Sequence, residues 1–320
     1  MAHTPEQLLA LYQNELDDYE LLHVLGQGQS SVVFHARNQA FDLDVSLKIL
    51  QKSDADFEER FVREFRILYT FNHPNIAPVR DCGRTRNGHY FFTTNYLGGE
   101  TISSWLVERG PFPIPDACKI TLQLLSALEY CHSQQVLHRD VNPKNVFLIE
   151  TAEEPVAVLG DLGLAKLFKD PIQEKSLRSI TATTMKAGGQ GFRDAGIGKP
   201  QYMAPELAWQ EATAQSDLYA LTITFLEMIT GLIDWSSFSQ ESIWVDKSPN
   251  FFLGTILENS EATLDEGLRV ILETGLRTSP RQRFPSINEY FAAIEEYLTT
   301  LESPAENQSF FSRFFRQPQQ

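Results

Sequence analysis

The sequence predicts an α+β chain built as two lobes, a small sheet-rich one followed by a larger, mainly helical one. Three observations carry this. β-rich segments alternate with turns around a single helix as far as residue 96 or so; Gly98 and Gly99 then interrupt the chain, as a connection between lobes would; helical periodicity dominates beyond them. The 320 residues, 42% hydrophobic and 22% charged, suffice for one large core or two smaller ones.

Taken in order, residues 21–25, 32–36 and 45–50 read as strands and residues 53–71 as a helix. Phe57, Phe61, Phe65 and Leu68 share the buried stripe of that helix, and Glu64 falls among them. An inward carboxylate calls for a partner. Residues 90–96 form a further strand. Residues 116–133 carry Leu122, Leu125 and Leu128 at helical spacing, and residues 218–229 are apolar nearly all round, as in a helix buried within a domain. That helix is too short to span a bilayer. The tail, 302–320, is rich in Pro, Gln and Ser and contains FFSRFF, for which packing or disorder is the plainer reading and docking the sharper one.

A formal net charge of −15 and a pI near 4.9 argue against partners rich in phosphate, nucleic acid and anionic lipid alike. Cys82, Cys118 and Cys131 show neither disulfide nor zinc spacing, which fits reduced thiols in a cytoplasm. The N-terminus is acidic and lacks the apolar stretch of a signal peptide.

Chemistry concentrates in three places. In Gly26-Gln27-Gly28-Gln29-Ser30-Ser31-Val32-Val33, glycines between two strands let backbone N–H groups approach phosphate oxygens; taken alone, a bare hairpin explains the turn as well. Lys48 stands in an otherwise buried strand, and a Lys48–Glu64 pair would hold an ammonium against phosphates. The strongest signal is Leu137-His138-Arg139-Asp140-Val141-Asn142-Pro143-Lys144-Asn145, then a β-like run 146–149, then Gly160-Asp161-Leu162-Gly163. Phosphoryl transfer needs an orienter for the attacking hydroxyl, the role that suits Asp140, and acceptors for metal ions on the phosphates, the role that suits Asn145 and Asp161.

With these motifs in this order, the chain resembles the eukaryotic-type (Hanks-type) serine/threonine protein kinase family, in a bacterial-like form, over residues 19–298. The resemblance implies a bilobal protein kinase fold, with a small lobe at 19–96 and a large lobe at 97–298, flanked by an N-terminal extension (1–18) and a C-terminal tail (299–320). It implies ATP and Mg2+ as cofactors. Leu25, Gly26, Gln27, Gly28, Val33, Ser46, Lys48 and Phe147 would surround the nucleotide, with Thr94 at the back of the pocket and the backbone of Asn95 and Leu97 on the adenine edge. It also implies structural roles for Tyr202-Met203-Ala204-Pro205-Glu206, for Asp217 as anchor of the catalytic loop, and for Arg283 as partner of Glu206.

The pattern departs from the family at several positions. Asn142 replaces a lysine that steadies the γ-phosphoryl group; Lys144 or Lys199 is expected to supply the displaced charge. Ser31 replaces a glycine, Ser46 an alanine and Leu162 a phenylalanine. Arg139 beside Asp140 implies control by a phosphorylated activation segment, with Thr181, Thr183 or Thr184 the expected acceptor among hydroxyls that also include Ser176 and Ser179.

The expected activity is ATP-dependent transfer to Ser/Thr hydroxyls of protein substrates, with autophosphorylation. A pseudokinase scaffold is the alternative, against which the retention of Lys48, Glu64, Asp140, Asn145 and Asp161 speaks. A small-molecule phosphotransferase is disfavoured by the Tyr202 to Glu206 tract. Expected partners are protein substrates, with no nucleic acid, no integral membrane segment, and a regulatory protein contacting the N-terminal extension or the tail.

Overall fold

The computed structural model describes residues 3–28, 31–51, 57–151, 155–162, 200–208, 212–235, 249–258, 260 and 262–301. They fall into two compact units that meet in sequence between Gly98 and Gly99.

The small unit is a five-stranded antiparallel sheet in the order β1-β2-β3-β5-β4, with β1 Tyr19–Gln27, β2 Ser31–Asn38, β3 Leu43–Leu50, β4 Val79–Arg84 and β5 Tyr90–Asn95. Alternation along the strands gives it two different faces. Val32, Phe34, Ala36, Val45, Leu47 and Ile49 point to one of them, and helix α1 (Pro5–Tyr12) covers it through Leu8 and Tyr12. Tyr12 meets Phe34 edge-on, ring centroids 5.9 Å apart. A capping box starts α1: Thr4 Oγ1 accepts from the Gln7 N–H and Gln7 Oε1 accepts from the Thr4 N–H. Residues 5–18, read from the sequence as an extension outside the domain, thus supply a layer of its core, and Leu16 belongs to the same cluster.

Helix α2 (Phe57–Tyr69) lies on the opposite face. Its Phe61 is buried and packs on Tyr90 of β5, centroids 4.7 Å apart.

The large unit opens on α3 (Ile102–Arg109), capped by Thr101 and stopped at Gly110, whose φ of +79° favours glycine. Then come α4 (Ile114–Ser133), a three-stranded sheet of β6 (Glu100–Thr101), β7 (Val146–Ile149) and β8 (Val156–Leu159), and α5 (Ala214–Thr230). Leu218 through Ile229 are all buried, the all-round burial expected of that apolar run. Helices α6 (Pro249–Glu258), α7 (Glu266–Gly275) and α8 (Ile287–Leu301) complete it, with α8 packed on α4. No helix among the described residues is long and apolar enough to cross a membrane.

Candidate active site

In the small unit, cross-strand register decides which side chains share a face. Gly26 lies opposite Val33, Val33 opposite Lys48, and Lys48 opposite Phe92; one step along the strands, His35 lies opposite Ser46 and Ser46 opposite Thr94. Gly26, Val33, Ser46, Lys48 and Thr94 therefore line one face, the face that carries α2. Lys48 is buried there, 8% exposed. Leu25 falls in the register irregularity between Val24 and Gly26 and is 44% exposed, a large apolar side chain left to solvent. Gln27 ends β1, and the Gly28 N–H donates to the Ser31 carbonyl at 2.8 Å, closing the turn. Asn95 ends β5, and its Oδ1 accepts from Arg80 Nε at 2.8 Å. Leu97 follows, half-buried. Glu64 belongs to α2, and its side chain lies outside the described residues, as does all of Lys199.

The large unit holds the other set. The chain from Ser133 to β7 contains the catalytic-loop motif and is shaped by one carboxylate. Asp217, at the start of α5 and fully buried, accepts from the His138 N–H (2.9 Å) and the Arg139 N–H (2.7 Å), and its Oδ2 lies 2.8 Å from His132 Nε2. Burial alone would push this carboxyl up; the bond from His132, the nearby imidazoles and the Arg139 N–H outweigh it and hold the group below the ordinary carboxylate range. These two main-chain bonds also hold Arg139 in the left-handed region, φ 62°, a strained setting for a non-glycine residue.

Asp140 follows. Asn145 Nδ2 donates to the Asp140 carbonyl (2.8 Å) and to its carboxylate (3.1 Å), fixing main chain and side chain together. Gly160 is held at both ends of its residue: its N–H donates to the Asn145 carbonyl at 2.7 Å, and its carbonyl oxygen lies 3.0 Å from His138 Nε2. Asp161, exposed and left-handed at φ 52°, is thereby delivered beside the Asn145 segment. Phe147 packs against Gly160, where an added Cβ would come within 2.7 Å of the ring. Lys144 is exposed on the 3-10 turn Pro143–Asn145.

The donor set suits magnesium. With its nitrogen committed to Asp140, Asn145 keeps a carbonyl oxygen that makes no hydrogen bond among the described residues, and Asp161 adds a carboxylate; Mg2+ is commonly held by few protein oxygens together with phosphates.

Two buried anchors lie farther along. Arg283 forks onto Glu206 at 2.6 and 2.8 Å. Tyr202 donates to Glu227 Oε2 at 2.6 Å, and Glu227 Oε1 accepts from the Ile233 N–H and Trp235 Nε1. Burial, then the charge of Glu227, pushes the Tyr202 hydroxyl far above the ordinary phenol range. Sequence reasoning missed His132 and Glu227. Nothing in their spacing marks them, because each acts through a residue about 25 or more positions away.

Residues 19–292 match the protein kinase domain family. The chain is 31% identical over 229 residues to the serine/threonine-protein kinase PrkC of Bacillus subtilis, covering 70% of this chain and 32% of PrkC. It is 28% identical over 297 residues to the serine/threonine-protein kinase PknD of Mycobacterium tuberculosis, covering 90% of this chain and 41% of PknD. The chain thus spans well under half the length of these curated relatives. A crystal structure of Rad53 residues 1–466 in complex with AMP-PNP superimposes with a TM-score of 0.68 at 20% identity, covering 90% of this chain and 69% of that one, a likeness of fold. The chain belongs to the protein kinase domain family.

Proposed function

We propose that the chain is an ATP-dependent serine/threonine protein kinase. The observation that carries the reading is the bonding of the loop in the large unit: Asn145 ties Asp140, and the Asn145 carbonyl ties Gly160, so that a proton acceptor and two metal-ligand candidates share one frame. The names of the bacterial relatives, all called serine/threonine-protein kinases, supply the substrate class.

In this reading the Asp140 carboxylate, oriented by Asn145, takes the proton of the acceptor hydroxyl as its oxygen bonds to the γ-phosphorus of ATP; the bond to the β–γ bridging oxygen breaks and ADP leaves. Asn145 and Asp161 hold magnesium, which neutralises charge on the phosphate oxygens when bound. Lys48 steadies the phosphates, Glu64 orients Lys48, and Leu25, Gly26, Gln27, Gly28, Val33, Ser46, Thr94, Asn95, Leu97 and Phe147 enclose the nucleotide. Lys144 or Lys199 replaces the missing loop lysine. Transfer onto Thr181, Thr183 or Thr184 follows from Arg139. The unpaired thiols of Cys82, Cys118 and Cys131 favour the cytoplasm. The tail remains the site for a regulatory partner, because the apolar face of α1 is already taken by the sheet.

The test is transfer of label from γ-labelled ATP to the chain itself and to a generic protein acceptor, by the parent and by Asp161→Asn. Incorporation on Ser/Thr by the parent alone is expected; equal incorporation by the variant, or none by either, would refute the reading.

A further inference from the structure

We infer that Asn142 is a positioning residue of the transfer reaction, fixing the main chain of Asp140 and the amide of Lys144 in one loop geometry; the inference rests on the kinase reading above. Asn142 is fully buried, 0% exposed. Its Nδ2 donates to the Asp140 carbonyl at 2.7 Å, and its Oδ1 accepts from the Lys144 N–H at 3.1 Å. One short planar group must donate at one end and accept at the other, and a carboxamide does both.

The carbonyl it holds is the one that Asn145 reaches as well, at 2.8 Å. Two side-chain N–H groups therefore fill both lone pairs of the Asp140 carbonyl, and the peptide plane next to Val141, itself fully buried, is gripped by both. Turning that plane would swing the Asp140 carboxylate. Displacements near 1 Å in a reacting group can cost on the order of a hundredfold in rate. The same carboxamide sets the point from which the exposed Lys144 side chain leaves the loop. A lysine at 142 can donate but cannot accept, so it would leave the Lys144 N–H unanswered. At this position the chain has exchanged a charge for a geometry.

The test compares Asn142→Ser, Asn142→Asp and Asn142→Lys in the full chain, with kcat and KM for ATP measured separately and folding followed by thermal denaturation. Both Ser and Asp keep an acceptor for the Lys144 N–H, as N-cap residues do; Asp has no donor for the Asp140 carbonyl, and Ser offers one shorter hydroxyl where Asn142 uses two separate atoms. For Asn142→Ser, kcat is expected to fall about tenfold to a hundredfold while KM for ATP stays within about twofold, a split that loss of folded protein would not give. Asn142→Asp reads the same loss should the serine variant fail to fold. Asn142→Lys is expected to be no more active than Asn142→Ser. A serine or aspartate variant with kcat within about twofold of the parent would overturn the inference, as would a lysine variant at or above the parental rate, which would assign the position to phosphate. These outcomes are separate from the kinase reading, which stands or falls on Asp161-dependent transfer by the parent.

Discussion

Replacing Arg283 by Met should destabilise the large unit by about 3–5 kcal/mol, the cost of stripping one partner from a buried ion pair. The geometry explains why the pair is so sensitive. Both side chains are fully buried, and each of the five guanidinium N–H donors has an acceptor. Nη1 and Nη2 take the two Glu206 oxygens, Nε takes the Arg277 carbonyl at 2.7 Å, Nη1 also takes the Gln215 carbonyl at 2.9 Å, and Nη2 the Thr278 carbonyl at 3.2 Å. The guanidinium also lies 4.7 Å from the centroid of the Tyr219 ring. Methionine leaves three carbonyls without this donor and the Glu206 carboxylate with the Ser216 hydroxyl at 3.0 Å. Domains have only about 5–15 kcal/mol in total. Urea unfolding read by tryptophan emission follows the large unit alone, because Trp105, Trp209, Trp235 and Trp244 all lie beyond residue 98. Combining Arg283→Met with Glu206→Leu removes the stranded charge, so the double variant should be more stable than the sum of the singles by at least about 1 kcal/mol. Effects that add within about 0.5 kcal/mol, or a single loss under about 1 kcal/mol, would refute the reasoning.

Leu8→Ala should cost the small unit about 2–5 kcal/mol, since Leu8 is 1% exposed under the sheet; amide exchange in β1 to β3 should rise while the tryptophan transition stays put, and unchanged exchange in β2 would contradict this. Asp217, whose carboxyl is held low in the fold, binds its proton more readily when unfolded. Its contribution is therefore present above the unfolded value near pH 3.9 and is lost as pH falls below it, so the parent should lose more stability than Asp217→Asn between about pH 5 and about pH 2.5; parallel losses would exclude this. Gly160→Ala would push its Cβ to 2.7 Å from Phe147 Cε2, forcing the ring aside; an overpacking cost of about 1–3 kcal/mol and a raised KM for ATP are expected, and an unchanged KM would detach Phe147 from the nucleotide.

What the sequence made legible was whatever repeats at a local period. The β2 and β3 strands, the apolar run in α5 and the stripe Phe61–Phe65–Leu68 announce themselves because each residue is read against neighbours two to four positions away. The same reading passed over α1, an eight-residue helix whose meaning comes from β-strands up to about 80 residues later. In the large unit the motif order disclosed Asp140, Asn145 and Asp161, and the family resemblance Asp217 as their anchor, but not the His132 that partners it. His132 and Asp217 are 85 residues apart, and only the fold brings them to 2.8 Å. Asn142 shows the limit most clearly: its identity marked a departure from the family, while its burial and its two bonds say what replaced the lost charge at that spot. Lys199 and the phosphoacceptor candidates lie outside the described residues.

The proposed function requires Lys48, of the small unit, and Asp161, of the large one, to serve one nucleotide. A double-mutant cycle on kcat/KM with Lys48→Met and Asp161→Asn tests it directly. Each single substitution should cost at least about a hundredfold, and the double should cost little more than the worse single. Losses that multiply, or a substitution that leaves transfer intact, would contradict it.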